Sequence, residues 1–327
     1  MDTTDHVDEP GDQADALRAS RSRRRQRPLL VAVGVVVVGL VAVGIGVGVT
    51  HGRPATPVTT PTAEARRITP TPAPTPTLAA VPPPVGPQAL AALPLAYYDA
   101  VIPGLLDGTT AHPANQWEIA TPRQALVPLY ASPAADSAPI AALGATVPTV
   151  NRPAATAVWG RSPGADGGMV LVSTPSRKST PGTNGVATAP SATFAWARAA
   201  DFTLTRTDRM IRVDNATSTI AIVTESGATA TSEAARLGTP TDPTPAATST
   251  YMEADYVDTR IAYTEGHPIA LTGAHSALLP GYGGNSALTA LHYYPDPTGS
   301  SHGCVRISAA MTAALATLPV GTPIQFT

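Results

Sequence analysis

Sulfur, aromatic rings and charge are all scarce in this chain. Cys304 is the one cysteine in 327 residues, which excludes an intramolecular disulfide framework. Aromatic side chains make up 5% of the composition, low for a packed enzyme, so a sizeable part of the chain lies outside any core. Charged residues are only 13%, with a formal net charge of −2. No global basic field is available to hold nucleic acid. What is plentiful is Ala, Thr, Pro (35 residues) and Gly (27 residues).

The scarcity of charge is most complete over residues 29–50, a Val-, Gly-, Leu- and Ala-rich run with no ionisable side chain. About 20 apolar residues span a bilayer as a helix. The run follows a polar segment, 1–28, that ends in Arg18, Arg21, Arg23, Arg24, Arg25 and Arg27, whereas Arg53 alone follows closely. The positive-inside rule places such a tail in the cytoplasm and the rest outside. The sequence therefore predicts a single-pass cell-membrane protein: a cytoplasmic, disordered Arg-rich tail (1–28), a transmembrane helix (29–50) and an extracytoplasmic remainder. Residues 51–87 are Pro- and Thr-rich and lack apolar periodicity. Proline fixes φ and removes donors, favouring extended polyproline II. At about 3.1 Å per residue, such a linker reaches roughly 100 Å.

Residues 88–119 read as a short helical or irregular lead-in, with Pro103 and Gly104 interrupting it. From 120 to 206 short apolar runs alternate with turn residues: 125–130, 156–160, 169–172, 193–197 and 201–204. This pattern predicts a small β-barrel or sandwich. It loosely resembles the Src-homology-like barrels that precede some bacterial cell-wall enzymes, as a wall-binding module or as a packing spacer.

Residues 207–327 begin with a predicted hairpin, 210–213 and 219–223, around Asp214–Thr217. Prolines 240, 243 and 245 exclude a helix there. Strands are expected at 251–254, at 269–272 leading to His275, and at 288–291 ending on His292. Tyr293–Ser300 forms a loop. Ser308 caps a helix over 309–318, and 323–326 closes the chain as a strand.

The residues that carry chemistry are Ser301-His302-Gly303-Cys304-Val305-Arg306, with His292 upstream. Glycine permits close backbone approach to a ligand. Cationic neighbours and backbone N–H groups favour a thiolate. A buried, inert thiol is the bland alternative for Cys304. The His292, His302 and Cys304 spacing fits no common structural-zinc pattern, so no metal is expected.

This string resembles the active-site signature of bacterial L,D-transpeptidases, in which an upstream histidine precedes Ser/Thr-His-Gly-Cys, an apolar residue and Arg or Asn. The Gly238–Pro245 stretch is similar to another element of that family. The resemblance implies a fold that is mainly β: a membrane-anchored chain with a small β-barrel-like domain, then an L,D-transpeptidase-type β-sandwich catalytic domain. It implies Cys304 as nucleophile and His292 as general base, with the backbone carbonyl of Tyr293 orienting the imidazole. Gly303 and Cys304 N–H groups would receive the oxyanion, with Ser301 and His302 shaping the loop. Arg306 would hold a substrate carboxylate or brace the loop, and His275 would be a substrate or supporting contact. The implied partners are peptidoglycan stem peptides, joined by 3→3 cross-links, with no cofactor and no nucleic acid. Sortases share the Cys, His and Arg inventory but not the Ser-His-Gly context. A non-catalytic or hydrolytic, carboxypeptidase-like wall-binding protein on the same fold is the alternative.

Overall fold

β-branched and small apolar residues dominate the chain after residue 118, and its regular structure is almost entirely strands. The computed structural model describes residues 78–281, 284–296 and 298–327. The expected tail, the membrane run 29–50 and most of the Pro-rich linker lie outside the described residues. Among the described residues no helix is long and apolar enough to cross a membrane.

Two large sheets and a two-stranded one, Thr146–Val147 with Arg152–Pro153, make up the strands of the described chain. The first runs, in spatial order, Leu95–Ala96, Pro139–Gly144, Leu126–Tyr130, Thr193–Arg198, Met169–Thr174, Thr156–Ser162, Glu118–Pro122 and Phe202–Arg206. Leu106–Asp107 pairs with Thr193–Arg198. The lead-in is therefore more structured than its composition suggested. Two of its short strands join this sheet, and its helices are only Pro87–Ala91 and Gly108–Ala111. Local Pro and Gly end the helices; pairing with residues far along the chain makes the strands.

The second sheet runs Thr229–Ala234, Thr219–Thr224, Arg209–Asp214, Pro323–Phe326, Thr248–Tyr256, Ile269–His275, Leu288–Tyr293 and Val305–Ile307. Ile211, Val213, Ile220, Met252, Leu291, Val305, Ile324 and Phe326 form its core, each nearly or fully buried. Ser308 caps the helix Ala309–Leu315, its Oγ accepting from the Met311 N–H at 3.1 Å. The helix stops at Leu315, short of the expected 318. Helix propensity favours continuation, but Leu318 already belongs to the turn that leads through Pro319 and Gly321 into the last strand.

The two sheets lie in one compact unit. Tyr251 of the second packs with Trp159, Leu171 and Phe194 of the first. Gly321, at φ +92, sits where a Cβ would come within 2.5 Å of Ile119. Glu253 is 3% exposed at this junction, and its Oε2 has no hydrogen-bond partner. Burial raises its carboxyl from 4.5 to about 8. Folding thus favours the protonated acid. That stability is complete below pH 4.5 and is lost as pH climbs through about 8. Glu253→Gln is expected to flatten this dependence and raise the melting temperature at pH 8 but not at pH 4. Thermal melts of both proteins, followed by circular dichroism at the two pH values, measure it.

Candidate functional site

Parallel pairing of Leu288–Tyr293 with Val305–Ile307 builds the site. Leu291 aligns with Val305, and His292 with Arg306. Continuing the register one step sets Cys304 beside Ala290, whose backbone bonds to the thiol. Alternate residues of a strand share a face, so His292 and Cys304 project from the same side. Tyr263, on the short 3₁₀ turn Ala262–Thr264, ties the two together. Its ring centroid lies 5.4 Å from that of His292, and its phenol is raised by burial and then by the Cys304 charge.

His292 is 6% exposed. Its Nδ1 donates to the Tyr293 carbonyl at 2.8 Å, which leaves Nε2 as the basic nitrogen. Burial lowers its pKa, opposed by that hydrogen bond, and Arg306 and Arg236 lower it further. Cys304 is half-buried, and burial raises its thiol more than Ala290 and Arg306 lower it. Desolvation therefore favours the neutral form of both groups at rest.

The turn ahead of Cys304 is held from two sides. The Ser301 hydroxyl donates to the Cys304 carbonyl and accepts the Gly303 N–H at 3.1 Å. The Gly303 N–H, expected to face an oxyanion, bonds to the Ser301 hydroxyl in this structure. Gly303 also contributes through its conformation. Its φ is +96, and a Cβ would come within 3.1 Å of the Pro243 carbonyl. The 236–245 segment forms the other side. Ser301 N–H donates to Leu237 O at 2.8 Å, and Gly238 N–H to Thr244 Oγ1 at 2.9 Å. A Cβ on Gly238 would stand 3.0 Å from Gly303 Cα. His302 projects outward with its side chain 76% exposed, its Nε2 3.9 Å from Asp242 Oδ2.

Arg306 lays its guanidinium 3.8 Å from the centre of the Tyr294 ring and donates through Nη1 to Ser300 O at 2.8 Å. Of the two roles set out for it, these are the contacts of a brace. Tyr293 extends the strand beyond His292, and its ring packs 4.6 Å from that of His267.

His275 does not join the site. It pairs with Leu288, at the opposite end of the strand from His292. It is 1% exposed, and its Nε2 donates to the Pro175 carbonyl at 2.9 Å in the first sheet. Burial, then nearby Arg177, lower its pKa to about 3. A substrate contact there is corrected to an uncharged group in the junction between sheets. Arg236, Tyr263 and Tyr294 were not singled out by the sequence. Each lies in an unremarkable local context; tertiary contacts bring Arg236 and Tyr263 to the site, and Tyr294 follows His292 by two residues. Among the described residues no cluster of His, Cys, Asp and Glu could hold a metal.

Residues 208–325 match a family model described as YkuD, L,D-transpeptidase catalytic domain. No curated protein matches the chain. Among solved structures, an L,D-transpeptidase mutant from Enterococcus faecium shares 22% identity over 37% of this chain and 50% of its own, with a TM-score of 0.24. An L,D-transpeptidase from Mycobacterium smegmatis shares 17% over 49% of this chain and 90% of its own, with a TM-score of 0.29. The chain spans about half the length of the first structures it matches.

Gly303→Ala is expected to destabilise the fold by about 1–3 kcal/mol through its left-handed φ and to slow alkylation of Cys304. Gly86→Ala, where a Cβ meets nothing within 4 Å, serves as the control. Urea denaturation midpoints and iodoacetamide labelling rates of both variants give the comparison.

Proposed function

We propose, from the premise that residues 208–325 are an L,D-transpeptidase catalytic domain, that this protein forms 3→3 cross-links in peptidoglycan through a Cys304 thioester. The observation that carries the reading is the placement of His292 and Cys304 on one face of paired parallel strands, with the imidazole tautomer set by the Tyr293 carbonyl.

The steps follow from these groups. His292 Nε2 takes the proton from Cys304 Sγ as sulfur attacks the acyl carbon of the third residue of a tetrapeptide stem. The Cys304 N–H is the proposed donor to the resulting oxyanion. The C–N bond to the terminal D-Ala breaks, and the imidazolium returns its proton to the leaving amine. The side-chain amine of a second stem then attacks the thioester and loses its proton to Nε2. The C–S bond breaks, and the thiolate is reprotonated by the imidazolium. With both groups neutral at rest, the thiol loses its proton to His292 Nε2 as sulfur attacks, rather than beforehand.

The same reading takes the uncharged run 29–50, with its preceding arginines, as a membrane anchor. The catalytic domain then lies outside the membrane, where peptidoglycan stems are, at the end of the Pro-rich linker. Residues 120–206 are proposed as a barrel-like module packed against the catalytic domain, its sheet completed by the lead-in strands.

The full-length chain, purified in detergent and incubated with a disaccharide-tetrapeptide, is expected to yield a cross-linked dimer lacking one D-Ala by mass spectrometry. Cys304→Ala should yield none. A carbapenem should add its mass to Cys304 in the wild-type chain alone. Tripeptide without dimer would make water the acceptor and the activity hydrolytic. An unchanged substrate together with an unreactive thiol would overturn the enzymatic reading in favour of a wall-binding protein.

A further inference from the structure

The spacer between His292 and Ser301 is eight residues long and must carry the chain from one parallel strand to the next. Its shape is controlled by a residue from outside it. Arg236 pairs with Arg306 through both backbone groups, N–H to O at 3.0 Å and O to N–H at 2.9 Å, and Arg306 is the register partner of His292. The Arg236 guanidinium then reaches over the spacer. Its Nη2 donates to Tyr294 O at 3.1 Å and its Nη1 to Thr298 O at 2.9 Å. The Tyr294 ring receives both cations, with Arg306 at 3.8 Å and Arg236 at 5.6 Å from its centre.

The carbonyl that Arg236 holds is the one next to the carbonyl that orients His292. Peptide groups are planar, so only the φ and ψ of Tyr294 separate the Tyr293 and Tyr294 carbonyls. Fixing the second at 3.1 Å and clamping the Tyr294 ring restricts both torsions. The first carbonyl, 2.8 Å from Nδ1, is thereby aimed. A planar guanidinium spans two acceptors in a fixed fork; an ammonium on a flexible stem does not.

From this geometry we infer that Arg236 is a positioning residue, which acts through Tyr294 and the Tyr293 carbonyl to set the orientation and tautomer of His292. The inference rests on the proposed roles of His292 and Cys304. The competing role is a receptor for a substrate carboxylate. Arg236 and Arg306 do line a cleft of about 360 Å³ with Glu233, Tyr294 and Ser308. Yet Nη1 and Nη2 of Arg236 and Nη1 of Arg306 already donate to backbone carbonyls. The Glu233 carboxylate in the same cleft is taken by the Ser308 N–H at 2.7 Å and its hydroxyl at 2.5 Å.

Arg236→Gln and Arg236→Lys in the full-length chain test this. Sub-ångström misplacement of a catalytic group costs about tenfold or more in rate. In the cross-linking assay kcat is expected to fall at least about tenfold in Arg236→Gln, with KM within about twofold, and less in Arg236→Lys. Alkylation of Cys304 by iodoacetamide provides a readout independent of the natural substrate. The neutral-pH limb, which needs His292 as base, should fall by a similar factor, while the alkaline limb, which needs only the thiolate, stays unchanged. If Arg236→Gln melts below the assay temperature, Arg236→Lys is read alone, against the same limbs. A raised KM at constant kcat would make Arg236 a substrate receptor and overturn the inference. So would an unaltered neutral limb in a folded variant. If the wild-type chain forms no cross-link, the transpeptidase reading fails while the alkylation profile still decides the role of Arg236.

Discussion

Everything at the candidate site depends on one parallel strand pairing. Leu288–Tyr293 and Val305–Ile307 run side by side in the same direction, with residues 294–304 carrying the chain back between them. Parallel neighbours need a connection of about a dozen residues, usually a helix. Here the connection is an irregular loop whose carbonyls take their donors from arginines on its flanks. The register of the pair sets Cys304 beside Ala290 and His292 two residues further along. A slip of one residue would turn His292 and Cys304 to opposite faces.

Electrostatics at the pair is dominated by desolvation rather than by neighbouring charge. Arg306 lowers the Cys304 thiol, but burial raises it more. The cationic context of the Ser-His-Gly-Cys-Val-Arg string suggested a thiolate. The folded arrangement instead commits the Arg306 side chain to the Ser300 carbonyl and the Tyr294 ring, and turns His302 outward. Proximity in sequence to Arg306 and His302 therefore says little about the charge state of the sulfur.

The β character of the chain was legible because its strands are short, β-branched and bounded by Gly and Pro. Thr219–Thr224, Ile269–His275 and Pro323–Phe326 lie where alternation and turn residues put them, within a few positions. The strands of the lead-in were not, because Leu95–Ala96 and Leu106–Asp107 carry too few residues to show a period and owe their pairing to distant partners. At the site, the local string marks the turn that bears Cys304. The bond from the Gly303 N–H to Ser301 depends on a φ that residue identity permits but does not dictate. His275 misled for a simpler reason: a histidine beside small residues reads the same whether it faces a cleft or a neighbouring sheet.

Arg177 joins the halves of the described chain. It belongs to the segment after Met169–Thr174 in the first sheet, has no exposed surface, and donates to the carbonyls of Ser276, Leu279 and Asn285, between the strands Ile269–His275 and Leu288–Tyr293 of the second. Asp99 adds a carboxylate and a carbonyl to Asn285 from the same side. These bonds hold the turn that feeds the strand bearing His292. Shuffling the amino-terminal sheet for another module, by recombination or by design, would strand those carbonyls without donors. The two sheets are consequently one mechanical part across this seam.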